Sequence, residues 1–206
     1  MMRPGGGHGR WAVMQDQQLS LLDAGPALLP EGLVYRPDFL THEEERRTIA
    51  RLELLAFAPF EFHGFLGKRR TVSFGWHYAF DGSGLREAEP MPDFLLPLRA
   101  RAAALAGLDP GALAHALVIE YAPGAGIGWH RDRPVFGEVI GISLLAPARL
   151  RFRRKIGAKW ERAALVAEPR SAYLLTGPAR GEWEHSIPAL DALRYSVTFR
   201  SLREPR

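Results

Sequence analysis

At 206 residues with 47% hydrophobic content, the chain is long enough to bury one sizeable core and too short for a second full domain of ordinary size. It has no cysteine, which excludes disulfides, thiolate nucleophiles and cysteine zinc sites, and its formal charge of +4 is a mild tilt toward anionic partners. No apolar run approaches the roughly 18 residues that cross a bilayer, and the N-terminus lacks the apolar stretch of a signal peptide, so a soluble cytoplasmic protein with no membrane partner is expected.

Residues 1–17 are rich in glycine and glutamine without periodicity, which predicts a mobile tail, with Met1 or Met14 as the natural start and residues 18–206 as a single domain. Thr41 then opens a helix. Its hydroxyl can cap, Glu44 at the third helical position closes a capping box, and Ile49, Leu52, Leu55 and Ala56 supply an apolar stripe. Eight aromatic side chains crowd residues 57–80. Among them Phe74, Trp76, Tyr78 and Phe80 alternate, which predicts four rings on one face of a strand, with Lys68-Arg69-Arg70 in the turn before it. Such a face serves either as a stacking platform beside a phosphate-attracting turn or as packing against the helices, the latter expected for at least two of the rings. A second helix is predicted over residues 92–106, stopped by Gly107, with Phe94, Leu95, Leu98 and Leu105 inward. Both helices should buttress a sheet.

From residue 114 onward the pattern changes to short β-type runs at 116–121, 138–145, 149–153, 160–167, 171–175 and 193–202, punctuated by Gly, Pro and basic turns. Many short strands with such turns argue for a jelly-roll or barrel. Within them Arg149, Arg151, Arg153, Arg154 and Lys155 are interleaved with Leu150 and Phe152, and the expectation is a solvated outer face of a hairpin rather than a nucleic-acid groove. Of the histidines, His63, His77 and His115 read as core groups or neighbours of a site, with no assigned role.

The chemistry concentrates at His130-Arg131-Asp132 and, after the β-rich stretch, at His185. Two imidazoles and one carboxylate form the facial triad that holds non-haem Fe(II) with positions left open. In an extended segment residues i and i+2 share a side, so His130 and Asp132 can grip one metal while Arg131 faces away, and the third ligand must come from a distant strand. A kinase catalytic loop also begins His-Arg-Asp, but it needs an asparagine where this chain has Gly137. Further on, Arg194, Ser196, Thr198 and Arg200 alternate with Tyr195, Val197 and Phe199, a strand with one polar and one apolar face. Arginines aimed from such a strand into a site need an anion, and a dicarboxylate supplies one at each end.

Taken together, Tyr121-Ala122-Pro123-Gly124, the run from Ile127 to Asp132, Ile142-Ser143-Leu144, the run from Trp183 to Pro188, and Arg194 to Arg200 resemble the AlkB-type 2-oxoglutarate and Fe(II)-dependent dioxygenases. A weaker match begins near Leu33. The resemblance implies a mainly β (α+β) fold, a double-stranded β-helix core with buttressing N-terminal helices. It implies that His130, Asp132 and His185 bind iron, that Arg194 with Tyr121 holds the distal carboxylate of 2-oxoglutarate, that Ser196 lies in the same binding segment, and that Arg200 sits near the chelating end. It also implies an aromatic lid, for which Trp76 and Tyr78 are the expected residues, with Arg69 and Arg70 steering phosphates.

The chain departs from the better-known nucleic-acid repair members at Ile119 and Ser196, where those carry asparagines, and at Pro134, where an acidic residue is common. Three functions follow as expectations. One is oxidative demethylation of N-alkylated bases in single-stranded or extruded DNA or RNA, as in DNA repair, consuming O2 and 2-oxoglutarate and releasing formaldehyde, succinate and CO2. The second is hydroxylation of a protein or small molecule at the same site. The third is a non-catalytic sugar- or nucleotide-binding barrel. A monomer is expected.

Overall fold

The computed structural model describes residues 29–62, 65–79 and 84–203, so the tail expected at 1–17 and the ring of Phe80 lie outside the described residues. Two antiparallel sheets dominate. The larger has seven strands in the order β1-β11-β8-β13-β6-β3-β2. These are β1 (Leu33–Arg36), β2 (Ala58–Phe62), β3 (Phe65–Phe74), β6 (His115–Tyr121), β8 (Phe136–Leu144), β11 (Ala172–Leu175) and β13 (Arg194–Leu202). The smaller has four in the order β10-β9-β12-β7, built from β7 (Ile127–His130), β9 (Ala148–Ile156), β10 (Lys159–Ala167) and β12 (Glu184–Ile187). Two sheets face to face with helices outside make a double-stranded β-helix, as the resemblance implied.

Strand alternation divides the interior into two cores. On β13, Tyr195, Val197 and Phe199 join Val118, Ile140, Ile142 and Leu144 against the helices. The intervening Ser196, Thr198 and Arg200 turn toward the smaller sheet and line a cavity between the two sheets. Burial of the first set anchors the register, because a one-residue slip would push Arg194 and Arg200 into the apolar core.

The helices that cover the large sheet form as their end signals dictate. In α1 (His42–Leu52), Thr41 Oγ1 accepts from the Glu44 amide at 3.1 Å and Glu44 Oε2 accepts from the Thr41 amide at 2.7 Å, the reciprocal capping box. The helix stops at Leu52, so Leu55 and Ala56 fall beyond it, and of the predicted stripe Leu52 is fully buried while Ile49 and Leu55 pack at the edge of the core. The second helix is a short 3-10 turn (Asp93–Leu95) followed by α2 (Leu96–Ala106), ended by Gly107 at φ 67°. No helix among the described residues is long and apolar enough to cross a membrane.

The aromatic stretch departs from expectation. Gly75 has φ 74°, and a Cβ there would collide with the Ala114 carbonyl, so β3 ends at Phe74 and the chain restarts as β4 (Trp76–Ala79). β4 pairs with β5 (Gly84–Glu87) in a separate ribbon, so the rings of Phe74, Trp76 and Tyr78 do not share one strand face. Phe74 is in the core beneath the helices. Lys68, Arg69 and Arg70 are inside β3, not in a turn.

Candidate metal centre and its cavity

His130 ends edge strand β7, and its cross-strand partner on β12 is His185, with ring centroids 4.3 Å apart. Sheet pairing alone therefore brings two imidazoles to one inner face. Asp132 follows two residues after His130, just past the strand, with Oδ2 3.7 Å from His185 Nε2. That spacing is too long for a hydrogen bond and leaves both atoms as donors. The other oxygen, Oδ1, is taken by Arg200, whose Nε and terminal nitrogen approach to 2.9 and 2.7 Å. His130 Nδ1 lies 2.9 Å from the Gly128 carbonyl, which can only accept, so Nδ1 carries the proton and Nε2 keeps its lone pair. Among the described residues no three such side chains are already drawn to full coordination geometry. The donor set nonetheless has the right chemistry for a divalent ion, two neutral imidazole nitrogens and an anionic oxygen on one wall.

The protonation states follow from burial and charge. Burial pushes His185 down to about 3 and also lowers His130, so both imidazoles are neutral. Burial alone would raise the Asp132 carboxyl, but Arg200 above all, with the two imidazoles and Arg180, outweighs it and holds the group well below the usual carboxylate range.

Two buried groups that sequence reasoning left without a role position Asp132. His115, stacked on Phe136 at 4.8 Å and pushed by burial to about 2, is neutral, and its Nδ1 faces an Arg200 terminal nitrogen at 3.3 Å. Arg180, in the short helix α3 (Gly177–Gly181), donates to the carbonyls of Gly137, Arg133 and Phe136 at 2.7 to 2.9 Å and of Asp132 at 3.3 Å. It ties the loop after the His-Arg-Asp motif to α3. Neither has a sequence signature, since one is a lone histidine and the other a lone arginine whose partners are backbone oxygens.

The cavity above this wall has a volume of about 1230 Å³. It is lined by His130, Asp132, His185, Tyr121, Ser196, Arg200, Arg69 and Tyr78. The Tyr173 ring also lines it, lying so close over Gly141 that a Cβ there would clash, with its hydroxyl pushed by burial up to about 12.

Three expected residues do not line it. Arg70, next to Arg69 on β3, necessarily faces the opposite side and forms a bidentate pair with Glu120 at 2.8 and 2.9 Å. Trp76, at the start of β4, is not among the lining residues, although Tyr78 of the same strand is. Arg194 shares the polar face of β13 but lies deeper, fully buried, with Nε donating to Ser143 Oγ at 3.2 Å and its guanidinium carbon 5.1 Å from the centre of the cavity-lining Tyr121 ring. Neither terminal nitrogen of Arg194 has a hydrogen-bond partner. A buried cation left so is costly without an anion, which is the requirement a dicarboxylate would meet.

Residues 32–200 match the profile of the 2OG-Fe(II) oxygenase superfamily. The chain is a 2-oxoglutarate- and Fe(II)-dependent oxygenase of this family. An alkylated DNA repair protein ALKBH8 homolog from Arabidopsis thaliana is 27% identical over 229 residues, covering 95% of this chain and 64% of its own length. A tRNA (carboxymethyluridine(34)-5-O)-methyltransferase alkbh8 from Xenopus tropicalis is 26% identical over 168 residues, 77% of this chain and 25% of that protein. The chain thus spans under two thirds of the one and a quarter of the other. Among solved structures, OsALKBH1 superposes with a TM-score of 0.66 at 18% identity, over 84% of this chain and 98% of that one. A Pseudomonas putida prolyl-4-hydroxylase superposes at 0.59 and 14% identity, over 84% and 94% of the two chains. The two structural neighbours share the fold, and membership of an enzyme family displaces the binding-barrel alternative.

The buried neutral imidazoles set an acid limit on the metal-free protein. His185 and His115 have folded values near 3 and 2, below the unfolded value near ~6.5, so between these limits the unfolded chain binds the extra protons. Their contribution is therefore fully present above pH ~6.5 and lost as pH falls, by about 1.4 kcal/mol per pH unit for each imidazole. The thermal midpoint of the metal-free protein should fall steadily between pH 7 and 4.5. A flat midpoint across that range would mean that these rings are not buried neutral.

Proposed function

We propose that the protein oxidatively removes methyl groups from N-alkylated bases in single-stranded DNA or RNA. The observation that carries this reading is the rim of the cavity. Tyr78 lies beneath the Arg133 guanidinium at 5.0 Å and Phe60 beneath that of Arg69 at 3.8 Å, so aromatic faces and cations alternate above the His-Asp wall. A base leaving its stack needs a ring to replace the lost neighbour and a cation for its phosphate, and this rim supplies both. The names of the two curated relatives, one for alkylated DNA repair and one for tRNA, support nucleic acid as the substrate class.

In this reading His130, Asp132 and His185 hold the iron. Arg194, Tyr121 and Ser196 receive the distal carboxylate of 2-oxoglutarate. Arg200 keeps Asp132 Oδ1 engaged, which would leave Oδ2 as the oxygen available to a metal, and His115 braces Arg200 from behind. When bound, the iron supplies activation of O2 for oxidation of a C–H bond. The balance is one N-methyl group, one O2 and one 2-oxoglutarate in, and one N–H, formaldehyde, succinate and CO2 out. Tyr78 and Arg69 keep the substrate roles expected for them, while Trp76 and Arg70 give way to Phe60 and Arg133.

The test is a panel of N-methylated single-stranded DNA and RNA oligonucleotides with Fe(II), ascorbate and 2-oxoglutarate, scored by loss of one methyl mass. Tyr78→Ala should weaken oligonucleotide binding roughly ten- to a hundredfold, the worth of one stacked base, while succinate still forms without substrate. Succinate formation with no demethylation across the panel would move the assignment to a protein or small-molecule hydroxylase.

A further inference from the structure

Most of the outer surface of the smaller sheet faces away from the cavity, and Arg149, Arg151, Arg153, Lys155 and Arg162 are not among the cavity's lining residues. Its inward positions, Leu150, Phe152, Ala163, Ala167 and Ile187, lie in the core between the sheets. By alternation Arg149, Arg151, Arg153 and Lys155 on β9 point outward, and the register places Arg162 of β10 opposite Arg153 and Trp160 opposite Lys155. Against these five cations, the outward positions of the four strands hold one carboxylate, Glu184, paired with Arg153 at 2.6 Å. So many like charges on one face are unfavourable unless something anionic covers them.

Two tryptophans are built into this face. Trp129, on edge strand β7 beside His130, lies under the guanidinium groups of Arg151 at 5.1 Å and Arg153 at 4.4 Å. Trp160, 40% exposed, lies under Arg153 at 4.5 Å. Stacking holds these guanidinium planes in place. Each spends its Nε on a neighbour, Arg151 on Ser186 and Arg153 on Glu184, which leaves the terminal amino groups for a ligand. The side chains of Arg149, Lys155 and Arg162 make neither hydrogen bond nor ion pair among the described residues. The face is continuous with the cavity mouth, because Trp129 of the edge strand and the exposed Arg131 just after it also line the cavity.

We infer that the outer face of the smaller sheet is a second contact surface for nucleic acid, over which the phosphate backbone runs after wrapping the edge strand β7 from the cavity mouth. The inference rests on the nucleic-acid reading above. It adds that affinity for a strand comes largely from a surface on the far side of the sheet from the chemistry. A single strand is favoured as occupant over an acidic protein segment because stacked Arg–Trp pairs offer flat faces to bases as well as charge to phosphates.

The test uses the whole protein and an unmodified fluorescent single-stranded oligonucleotide, with binding followed by anisotropy from 50 to 200 mM salt. The variant is Arg149→Gln with Arg162→Gln, both exposed and unpartnered. The control is Arg36→Gln with Arg46→Gln, which removes the same charge from β1 and α1. Losing two phosphate contacts should make the slope of log affinity on log salt shallower by about 1.4, which is roughly 25-fold in affinity at 0.1 M salt. The control should keep the slope of the unmodified protein. Equal slopes for variant and control would overturn the proposal. So would tighter binding of a labelled poly-glutamate peptide than of the oligonucleotide, lost in the same variant. Because the probe carries no methyl lesion, a negative demethylation panel leaves this outcome readable by itself.

Discussion

Replacing His185 with alanine is expected to reduce 2-oxoglutarate-dependent succinate formation to background and to weaken Fe(II) binding by more than about a hundredfold, since even groups that only orient a metal ligand are worth about 10- to 100-fold. His185 stands opposite His130 across a strand pair and is fully committed to the inner face, so no neighbouring side chain can swing in to replace it. The protein should stay folded, because the ring removed is neutral and its loss strands no charge. His130→Ala should behave alike. Retention of the thermal midpoint with loss of turnover, measured on the same preparation, separates loss of a ligand from collapse of the barrel. Near-normal succinate production by either variant would remove that residue from the metal site whatever the proximity of the rings.

Why the trio could be read ahead of the structure, and other parts could not, comes down to the range of the interactions. His130 and Asp132 share a side through two-residue periodicity, a property of the backbone alone. The polar and apolar faces of β13 follow from the same rule, as do the boundaries of β6, β8, β10 and β11, which differ from the expected runs by one or two residues at most at either end. The capping box and the stop at Gly107 are equally local.

What failed was alternation carried across a residue that resets it. Gly75 adopts a positive φ because the Ala114 carbonyl leaves no room for a Cβ, and that contact joins residues far apart in sequence. Phe74, Trp76 and Tyr78 therefore do not share one face, and the turn expected at Lys68 to Arg70 is instead the interior of β3. His115, Tyr173 and Arg180 escaped for the same reason, since each is defined by what packs against it. Arg180 has no motif because its partners are four backbone carbonyls between Asp132 and Gly137, distant in sequence.

Arg194 supports the sharpest separation of stability from function. Its side chain is fully buried and its terminal nitrogens are unsatisfied, so in the absence of an anion it is a net cost to the fold. Arg194→Met keeps most of the volume and removes the charge. That variant should be at least as thermally stable as the unmodified protein when 2-oxoglutarate is absent. With 2-oxoglutarate and Fe(II) present the order should reverse, because ligand binding stabilises only the protein that binds it. Two charge-assisted hydrogen bonds at about 1.5 kcal/mol each amount to roughly a hundredfold in the Michaelis constant for 2-oxoglutarate, while iron affinity should change little if His130, Asp132 and His185, left intact here, hold the ion as proposed. Arg194→Lys should recover only part of the loss, since an ammonium cannot offer the planar fork and its shorter reach leaves Ser143 Oγ without its donor. A methionine variant with an unchanged dependence on 2-oxoglutarate would show that the co-substrate carboxylate does not reach this guanidinium, and a large drop in its stability without ligand would show that the charge is satisfied within the fold.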